Sequence, residues 1–294
     1  MKIRKYGAID IGSNAVRLLV SNVIDYKGQV FFQKNALVRV PIRLGQDAFT
    51  KGEISKKNIG RIIKSMKAFR LLMKVHGVED YLAFATSALR GAKNCSQVVE
   101  RVFNKSKIQI EIIDGKKEAK IISNTNVFEN IDIEKTFLCI DVGGGSTEIS
   151  ILKGGKRINS NSFKIGTVRL LNKDFDQRIW NQLEIWVKKH TKIYPKVYLL
   201  GTGGNINKLH KISNVSDNRP ITFLTLNLIY NKLNELTYEE RIIDLGLNPD
   251  RSDVIIPATK LFLKIFEWSG AKVIYVPKVG LSDGMIREIY KNKN

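Results

Sequence analysis

Residues 139–152 read CIDVGGGSTEISIL, and this stretch decides how the whole chain is interpreted. An apolar run ends in Asp141, three glycines follow, and a second apolar run begins after Glu148. Glycine packs no side chain and loses the most conformational freedom on folding, so three in succession are unfavourable. A tight hairpin turn usually needs only one or two such residues. The pattern therefore predicts two strands joined by a loop whose bare backbone is closely approached by a ligand.

A similar segment lies near the amino terminus. Residues 8–22, AIDIGSNAVRLLVSN, align with residues 139–153, CIDVGGGSTEISILK. The alignment places Asp10 over Asp141 and Gly12 over Gly143, both pairs 131 residues apart, and alternating strand and helix patterns follow each segment. A repeat of this length predicts a duplicated α/β domain and not a solenoid.

One helix of the first half is readable in detail. Residues 55–77, SKKNIGRIIKSMKAFRLLMKVHG, carry apolar residues at helical spacing, with Ser55 as the expected N-cap and Gly77 as the stop. The apolar positions are Ile59, Ile62, Ile63, Met66, Phe69 and Met73.

Two similar α/β halves predict a cleft between them, where ligands of two-domain proteins prefer to bind. Each half would place one Asp-x-Gly turn at that cleft, with backbone N–H groups that converge on an anion. Asp10 and Asp141 would then hold a hard cation through its waters, as Mg²⁺ bound to phosphates is held. A single such turn is more often a plain hairpin, so the argument depends on the pair.

The net charge of +21 is the strongest compositional signal. A field of this size attracts polyanions, but a Lys-rich solvated surface explains it equally well. No RNA- or DNA-binding signature accompanies the charge. Nucleic acid, an anionic membrane surface or a phosphate-rich metabolite would each fit, so the charge alone does not decide the partner.

Other side chains offer little chemistry. Cys95 and Cys139 make no metal-ligand pattern, and the three histidines are scattered, so structural or surface roles are expected for all five. The first residues contain no apolar core of signal-peptide length, and no run approaches the length of a membrane span. A cytoplasmic protein without membrane contact is expected.

Seven motifs along the chain resemble those of the exopolyphosphatase and guanosine pentaphosphate phosphohydrolase family, part of the actin, hexokinase and heat-shock-protein-70 ATPase superfamily. They are AIDIGSNAVRLL at 8–19, ATSALRGAKN at 85–94, DGKKEAKI at 114–121, DVGGGSTEIS at 141–150, GTVRL at 166–170, GTGGN at 201–205 and GLSDGMI at 280–286. The resemblance implies an α/β architecture of duplicated actin-like (ribonuclease H-like) domains with an interdomain cleft. The first domain is expected to comprise residues 1–117 plus 281–294, and the second residues 118–280.

The resemblance also implies hydrolysis of phosphoanhydrides assisted by Mg²⁺ or another divalent cation. Glu118 matches the glutamate that orients and deprotonates the attacking water, and Arg90 matches a basic residue that contacts the phosphates. Asp141 and Glu148 match acidic metal and water ligands, with Asp10 facing them from the other half; Glu148 is also a catalytic candidate. The candidate phosphate-binding residues are Ser13, Asn14, Gly143, Gly144, Gly145, Ser146, Thr147 and Gly203.

Two positions depart from the family pattern. Asp114 stands where the family usually carries serine, and Lys117 where it carries the first of two glutamates. An ammonium group close to Glu118 would favour the ionised carboxylate. The chain ends soon after GLSDGMIREIY, so a compact two-domain member is expected.

Three functions from different classes remain. The leading hypothesis is a hydrolase that releases terminal phosphate from inorganic polyphosphate, guanosine pentaphosphate or both, since two glutamates suit water activation better than transfer to a sugar hydroxyl. An actin-like ATPase or kinase is one alternative. A non-catalytic sensor of polyphosphate or an alarmone is another, and Lys117 at a motif position adds weight to it. The choice of substrate and the presence of a homodimer are left open.

Overall fold

The computed structural model describes residues 1–123, 125, 132, 134–171 and 176–293. Its contacts divide the chain into two compact units, one of residues 1–125 plus 281–294 and the other of residues 126–280. The predicted division fell at residue 117. The observed first unit extends further because the helix that carries Glu118 packs within it.

The first unit is a five-stranded mixed sheet with helices on both faces. Its strands are β1 (Lys2–Ile11), β2 (Val16–Tyr26), β3 (Gln29–Val40), β4 (Asp80–Ala85) and β5 (Glu111–Ile112), in the order β3-β2-β1-β4-β5. Its helices are α1 (Leu44–Thr50), α2 (Lys56–His76), α3 (Ser87–Arg90), α4 (Cys95–Ser106), α5 (Gly115–Ser123) and α12 (Leu281–Asn292). Strands β1, β4 and β5 run parallel, so their carboxyl ends share one edge of the sheet.

Strand β1 shows how this sheet is buried on both faces. Ile9 and Ile11 enter an apolar core shared with α2 and α4, whereas Tyr6 and Ala8 enter a second core shared with α5 and α12. The alternation is the two-residue period of a strand. Helix α2 follows the prediction, beginning after its N-cap Ser55 and ending at Gly77 in the left-handed conformation.

The second unit repeats this plan. Its strands are β6 (Phe137–Val142), β7 (Thr147–Lys153), β8 (Lys156–Phe163), β9 (Tyr198–Thr202), β10 (Ile221–Thr222) and β11 (Val273–Tyr275), in the order β8-β7-β6-β9-β11-β10. Its helices are α6 (Gln177–Thr191), α7 (Gly204–Ile212), α8 (Phe223–Glu235), α9 (Tyr238–Ile243), α10 (Pro249–Ser252) and α11 (Ile255–Ser269), with a 3₁₀ turn at Arg169–Leu171. Strands β6, β9 and β11 run parallel.

The core of the second unit also follows strand alternation. Leu138, Ile140 and Val142 of β6 pack with residues of α6, α7, α8 and α11, and Phe137 and Cys139 of the same strand pack on the opposite face. In the described ranges, no helix is both long and apolar enough to cross a membrane.

Matching turns confirm the internal repeat read from the sequence. The N–H of Gly12 donates to the carbonyl of Ala15 at 3.1 Å, and the N–H of Gly143 donates to the carbonyl of Ser146 at 2.9 Å. The donors are 131 residues apart, as are the acceptors. Each turn joins the first two strands of its own sheet, so the two loops have the same place in the two units.

Candidate active site

In the first unit, the predicted metal ligand Asp10 lies near the carboxyl end of β1. Its side chain is buried and directly opposite Arg17 of β2, with 3.3 Å between Asp10 Oδ2 and Arg17 Nη1. Burial raises the pKa of Asp10 above its ordinary value, and the Arg17 guanidinium partly opposes that rise. A carboxylate placed in this way is held in one orientation.

The loop after β1 is held by its carbonyl oxygens. The carbonyl of Ser13 accepts from the N–H of Gly45 at 2.7 Å, and that of Asn14 accepts from the N–H of Arg43 at 2.9 Å. The Ser13 hydroxyl lies 2.9 Å from that of Ser87, the first residue of α3. The two candidate phosphate-binding residues are therefore fixed by groups from α1, α3 and the segment preceding α1.

The candidate base Glu118 lies in the first turn of α5, which follows the last strand of this sheet. Its Oε2 is 3.9 Å from Nη1 of Arg90, the last residue of α3. The same guanidinium nitrogen donates to the carbonyl of Ile113. The Glu118 side chain is only 12% exposed, so its carboxyl group is held near a guanidinium with little water around it. The predicted catalytic pair is thus brought together.

Both departures from the family pattern have a local explanation. The Asp114 carboxylate accepts from the N–H of Lys117 at 2.7 Å, the role of an N-cap, which serine fills equally well. The Lys117 ammonium lies 2.6 Å from the carboxylate of Glu111 and over the ring of Phe84. Arg90, and not Lys117, is the cation beside Glu118. The expectation for Lys117 required its ammonium group to lie close to Glu118, and the structure places that group at Glu111 instead.

In the second unit, segment 167–169 holds the carbonyl oxygens of the loop of glycines 143–145. The carbonyl of Gly143 accepts from the N–H of Thr167 at 3.0 Å, and that of Gly144 accepts from the N–H of Val168 at 2.8 Å. The carbonyl of Gly145 accepts from Nε of Arg169 at 2.7 Å. Thr147, a candidate phosphate-binding residue, is fully buried and donates its hydroxyl to a carbonyl at position 165. Its side chain therefore supports the fold around the loop.

The N–H groups of this loop differ from its carbonyl groups in their hydrogen bonding. Among the residues that the structure describes, the N–H groups of Gly144 and Gly145 make no hydrogen bond, although the loop is tied down on its carbonyl side. Neighbouring backbone N–H groups in a turn form an anion-binding concavity. Two backbone donors of the glycine loop are thus left without a protein acceptor in the described ranges.

Gly166 makes the close contact between this loop and the segment that holds it. A Cβ atom at position 166 would lie 2.6 Å from the backbone carbon of Gly144 and 2.6 Å from the backbone nitrogen of Gly145. Both contacts are with backbone, which cannot rotate out of the way. A side chain at position 166 would therefore push the loop apart from segment 167–169.

We expect Gly166→Ala to destabilise the chain by about 1–3 kcal/mol, the usual cost of overpacking, and to weaken phosphate binding by displacing the loop. Calorimetric unfolding would measure the first effect. Gly60→Ala is the matched control, because a Cβ atom there meets nothing within 4 Å inside α2, and alanine should stabilise that helix by up to about 1 kcal/mol. Equal unfolding temperatures for the two variants would contradict this account of Gly166.

Two carboxylates face each other at the carboxyl end of β6. Asp141 pairs in register with Glu148 across β6 and β7, so both side chains lie on the same face of the sheet. The Thr202 hydroxyl donates to Asp141 Oδ2 at 2.7 Å, and the Ser162 hydroxyl donates to Glu148 Oε1 at 2.8 Å. In the first unit, the residue that corresponds to Glu148 is Arg17, which pairs with Asp10. The turn of the second unit is therefore more acidic than the turn of the first.

The GTGGN motif forms the turn from β9 to α7. Gly203 has φ +92°, a conformation that L side chains rarely adopt. A Cβ atom there would lie 2.9 Å from Asp141 Oδ1. Glycine is needed because the backbone passes directly beside the candidate metal ligand.

A family model described as the Ppx/GppA phosphatase family matches residues 23–293. The chain belongs to this family. The resemblance seen in the motifs is therefore confirmed for nearly the whole chain.

Two curated relatives show how this Ppx/GppA member compares in length. It is 30% identical to a bifunctional 3-dehydroquinate synthase/phosphatase of Fusobacterium nucleatum, covering 97% of this chain and 46% of that protein. It is 25% identical to a guanosine-5'-triphosphate,3'-diphosphate pyrophosphatase of Photobacterium profundum, covering 97% of this chain and 59% of the relative. The chain spans about half the length of these relatives.

A solved structure of similar size supports the fold. The exopolyphosphatase of Cytophaga hutchinsonii superposes with a TM-score of 0.87 at 22% identity, covering 98% of both chains. At this identity the likeness shows the fold alone. The prediction of an α/β chain with duplicated actin-like domains is confirmed.

The acidic residues of this Ppx/GppA member fit a hard cation held mainly through water. Across the described ranges, no three His, Cys, Asp or Glu side chains form a cluster able to hold a metal. Asp141 and Glu148 offer adjacent carboxylate oxygens, each accepting from a hydroxyl that fixes its orientation. Mg²⁺ typically takes one or two carboxylates and completes its shell with water and substrate phosphate. The donor set therefore suits Mg²⁺.

Several supporting residues were missed by sequence reasoning. Arg17, Ser162 and Thr202 contact the predicted acidic residues. Arg17 and Thr202 lie within recognised motifs but were not selected as site residues, and Ser162 lies outside every motif. Thr202 is 61 residues from its partner Asp141. The GTVRL motif was recognised without a role, and the structure shows that it holds the glycine loop.

Proposed function

We propose that the chain is a phosphoanhydride hydrolase that releases the terminal phosphate of inorganic polyphosphate, guanosine pentaphosphate or both. The observation that carries the proposal is the glycine loop, whose carbonyl groups are tied back while the N–H groups of Gly144 and Gly145 have no acceptor among the described residues. The net charge of +21 suits a polyanionic substrate. Family membership supports a phosphatase reaction.

The proposed reaction is direct attack by water on the terminal phosphorus. The water oxygen bonds to phosphorus, the anhydride P–O bond breaks, and its electron pair leaves on the shortened chain. Glu118 accepts the proton of the water, and Arg90 stabilises the charge on the transferred phosphate. Phosphoryl transfer needs mainly positioning and charge stabilisation, so no covalent nucleophile is required.

The second unit is proposed to bind phosphate and a divalent cation. The backbone donors of the glycine loop would hold phosphate oxygens, with Ser146 and Gly203 beside them. Ser13 and Asn14 are the corresponding phosphate-contact candidates of the first unit's own turn. Asp141 and Glu148 would hold Mg²⁺. Asp10 is the corresponding acidic candidate of the first unit. The ion, when bound, supplies charge neutralisation at the phosphate oxygens.

Two observations favour a hydrolase over a sensor. The motif position of Lys117 supported the sensor, but its ammonium group contacts the carboxylate of Glu111. The guanidinium group of Arg90 lies beside Glu118. The two curated relatives carry a phosphatase and a pyrophosphatase in their names. The assay below distinguishes polyphosphate from guanosine pentaphosphate as the substrate.

Phosphate release tests the proposal. The full chain would be assayed side by side on short polyphosphate, long polyphosphate and guanosine pentaphosphate, with Mg²⁺ or with EDTA and without any phosphate acceptor. We expect Mg²⁺-dependent release from at least one of them. Tight binding without release from any would favour the sensor, and release that requires an added hydroxyl acceptor would favour a kinase.

A further inference from the structure

A cavity of about 430 Å³ lies in the second unit, away from the glycine loop. Its walls are α7, α8 and the segment after α9, and its lining includes Lys208, Lys211, Lys232 and Asp244. Three ammonium groups against one carboxylate give the cavity a net positive charge. Ile212 and Ile229 contribute to an apolar part of the wall.

Lys208 is built into the wall of this cavity. Its ammonium donates to the carbonyls of Leu245 and Gly246 at 2.9 and 3.0 Å. Burial lowers the pKa of Lys208 below its ordinary value, and the nearby charges of Lys211 and Arg251 lower it further. A bound anion would offset both the burial of this ammonium group and the like charges near it.

Lys211 and Lys232 are exposed cations among the lining residues of the cavity. Within the described ranges neither side chain forms an ion pair. Each lies in the last turn of its helix, where a cation also stabilises the helix dipole. Lys189 has the same place in the last turn of α6 but does not line the cavity. A variant of Lys189 therefore distinguishes anion binding in the cavity from stabilisation of the helix dipole.

We propose that this cavity is a second anion site, which binds a compact phosphate-bearing ligand with at least two phosphate groups. It is separate from the glycine turn, because Lys211 lies eight residues beyond Gly203 along α7, or about 12 Å at the rise of an α-helix. The ammonium groups of Lys211 and Lys232 contact the phosphates, and Lys208 holds the wall. The apolar side accommodates an uncharged part of the ligand, where one is present. The proposal does not depend on hydrolase activity.

Methyl NMR of the full chain tests the site directly, since Ile212 and Ile229 report from the wall. Inorganic triphosphate and guanosine triphosphate are the two probes, titrated in EDTA at constant ionic strength. We expect both methyl signals to shift with each probe. In the double variant Lys211→Gln/Lys232→Gln, binding read at these methyl groups should weaken at least about tenfold, as expected for lost charge-assisted hydrogen bonds. Lys189→Gln should leave it unchanged.

Each outcome decides the proposal. Equal affinity for the two probes supports recognition through phosphates alone, and tighter binding of guanosine triphosphate supports use of the apolar wall as well. Unshifted signals of Ile212 and Ile229 with both probes overturn the site, as does an unchanged affinity in the double variant. If Lys189→Gln loses as much affinity as the double variant, the effect comes from general surface charge. That result also overturns the proposed site.

Discussion

Glu118→Gln should lower kcat for phosphate release by about 10²–10⁴-fold, the usual contribution of a general base. The amide keeps the size of the side chain and cannot accept the proton of the attacking water. Substrate binding should stay within about twofold, because the phosphate contacts assigned to the glycine loop and Arg90 remain. Single-turnover phosphate release and equilibrium binding of the substrate measure the two quantities separately.

Glu111→Gln is the matched control for this experiment. Glu111 lies just before α5, its side chain is 53% exposed, and its carboxylate pairs with Lys117 instead of Arg90. The same chemical change there should leave kcat nearly unaffected. If both variants lose activity equally, the loss reflects the local fold, and Glu118 is not the base.

Asp141→Asn should reduce kcat/KM by about 10³-fold and raise the Mg²⁺ concentration needed for half-maximal rate. The carboxylate is the strongest candidate cation ligand of the second unit, and removing charge neutralisation at the phosphates costs several kcal/mol, which corresponds to a factor of this order. Rates measured across a Mg²⁺ titration give both effects in one experiment.

Asp217→Asn provides the comparison within the same unit. Asp217 is 73% exposed and pairs with Lys278, so its amide variant tests the loss of one negative charge without touching Asp141 or Glu148. Its Mg²⁺ dependence should match that of the unmodified chain. A normal Mg²⁺ titration in Asp141→Asn would remove Asp141 from the proposed cation site.

The duplicated fold could be predicted because its signals are local. Strand alternation, the Asp-x-Gly turn and the helix limits at Ser55 and Gly77 each depend on residues a few positions apart. The matching loops at Gly12 and Gly143 are therefore visible in one sequence. The family resemblance then added Glu118 and Arg90, which composition and spacing alone would not have selected.

The contacts around the site could not be predicted for the opposite reason. The Asp141 carboxylate depends on a hydroxyl from Thr202, and Glu148 depends on one from Ser162; both pairs are joined only when the strands assemble. The partner of the Lys117 side chain could not be predicted from sequence either. Its neighbour along the chain is Glu118, whereas its partner in space is Glu111, six residues away.

The fate of oxygen from labelled water tests the central chemical claim most directly. The full chain would cleave its substrate in H₂¹⁸O with Mg²⁺, and mass spectrometry would locate the label. Direct attack on the terminal phosphorus predicts one ¹⁸O atom in each released phosphate and none in the shortened chain. Label in the shortened chain instead, or released phosphate without label, would contradict the account.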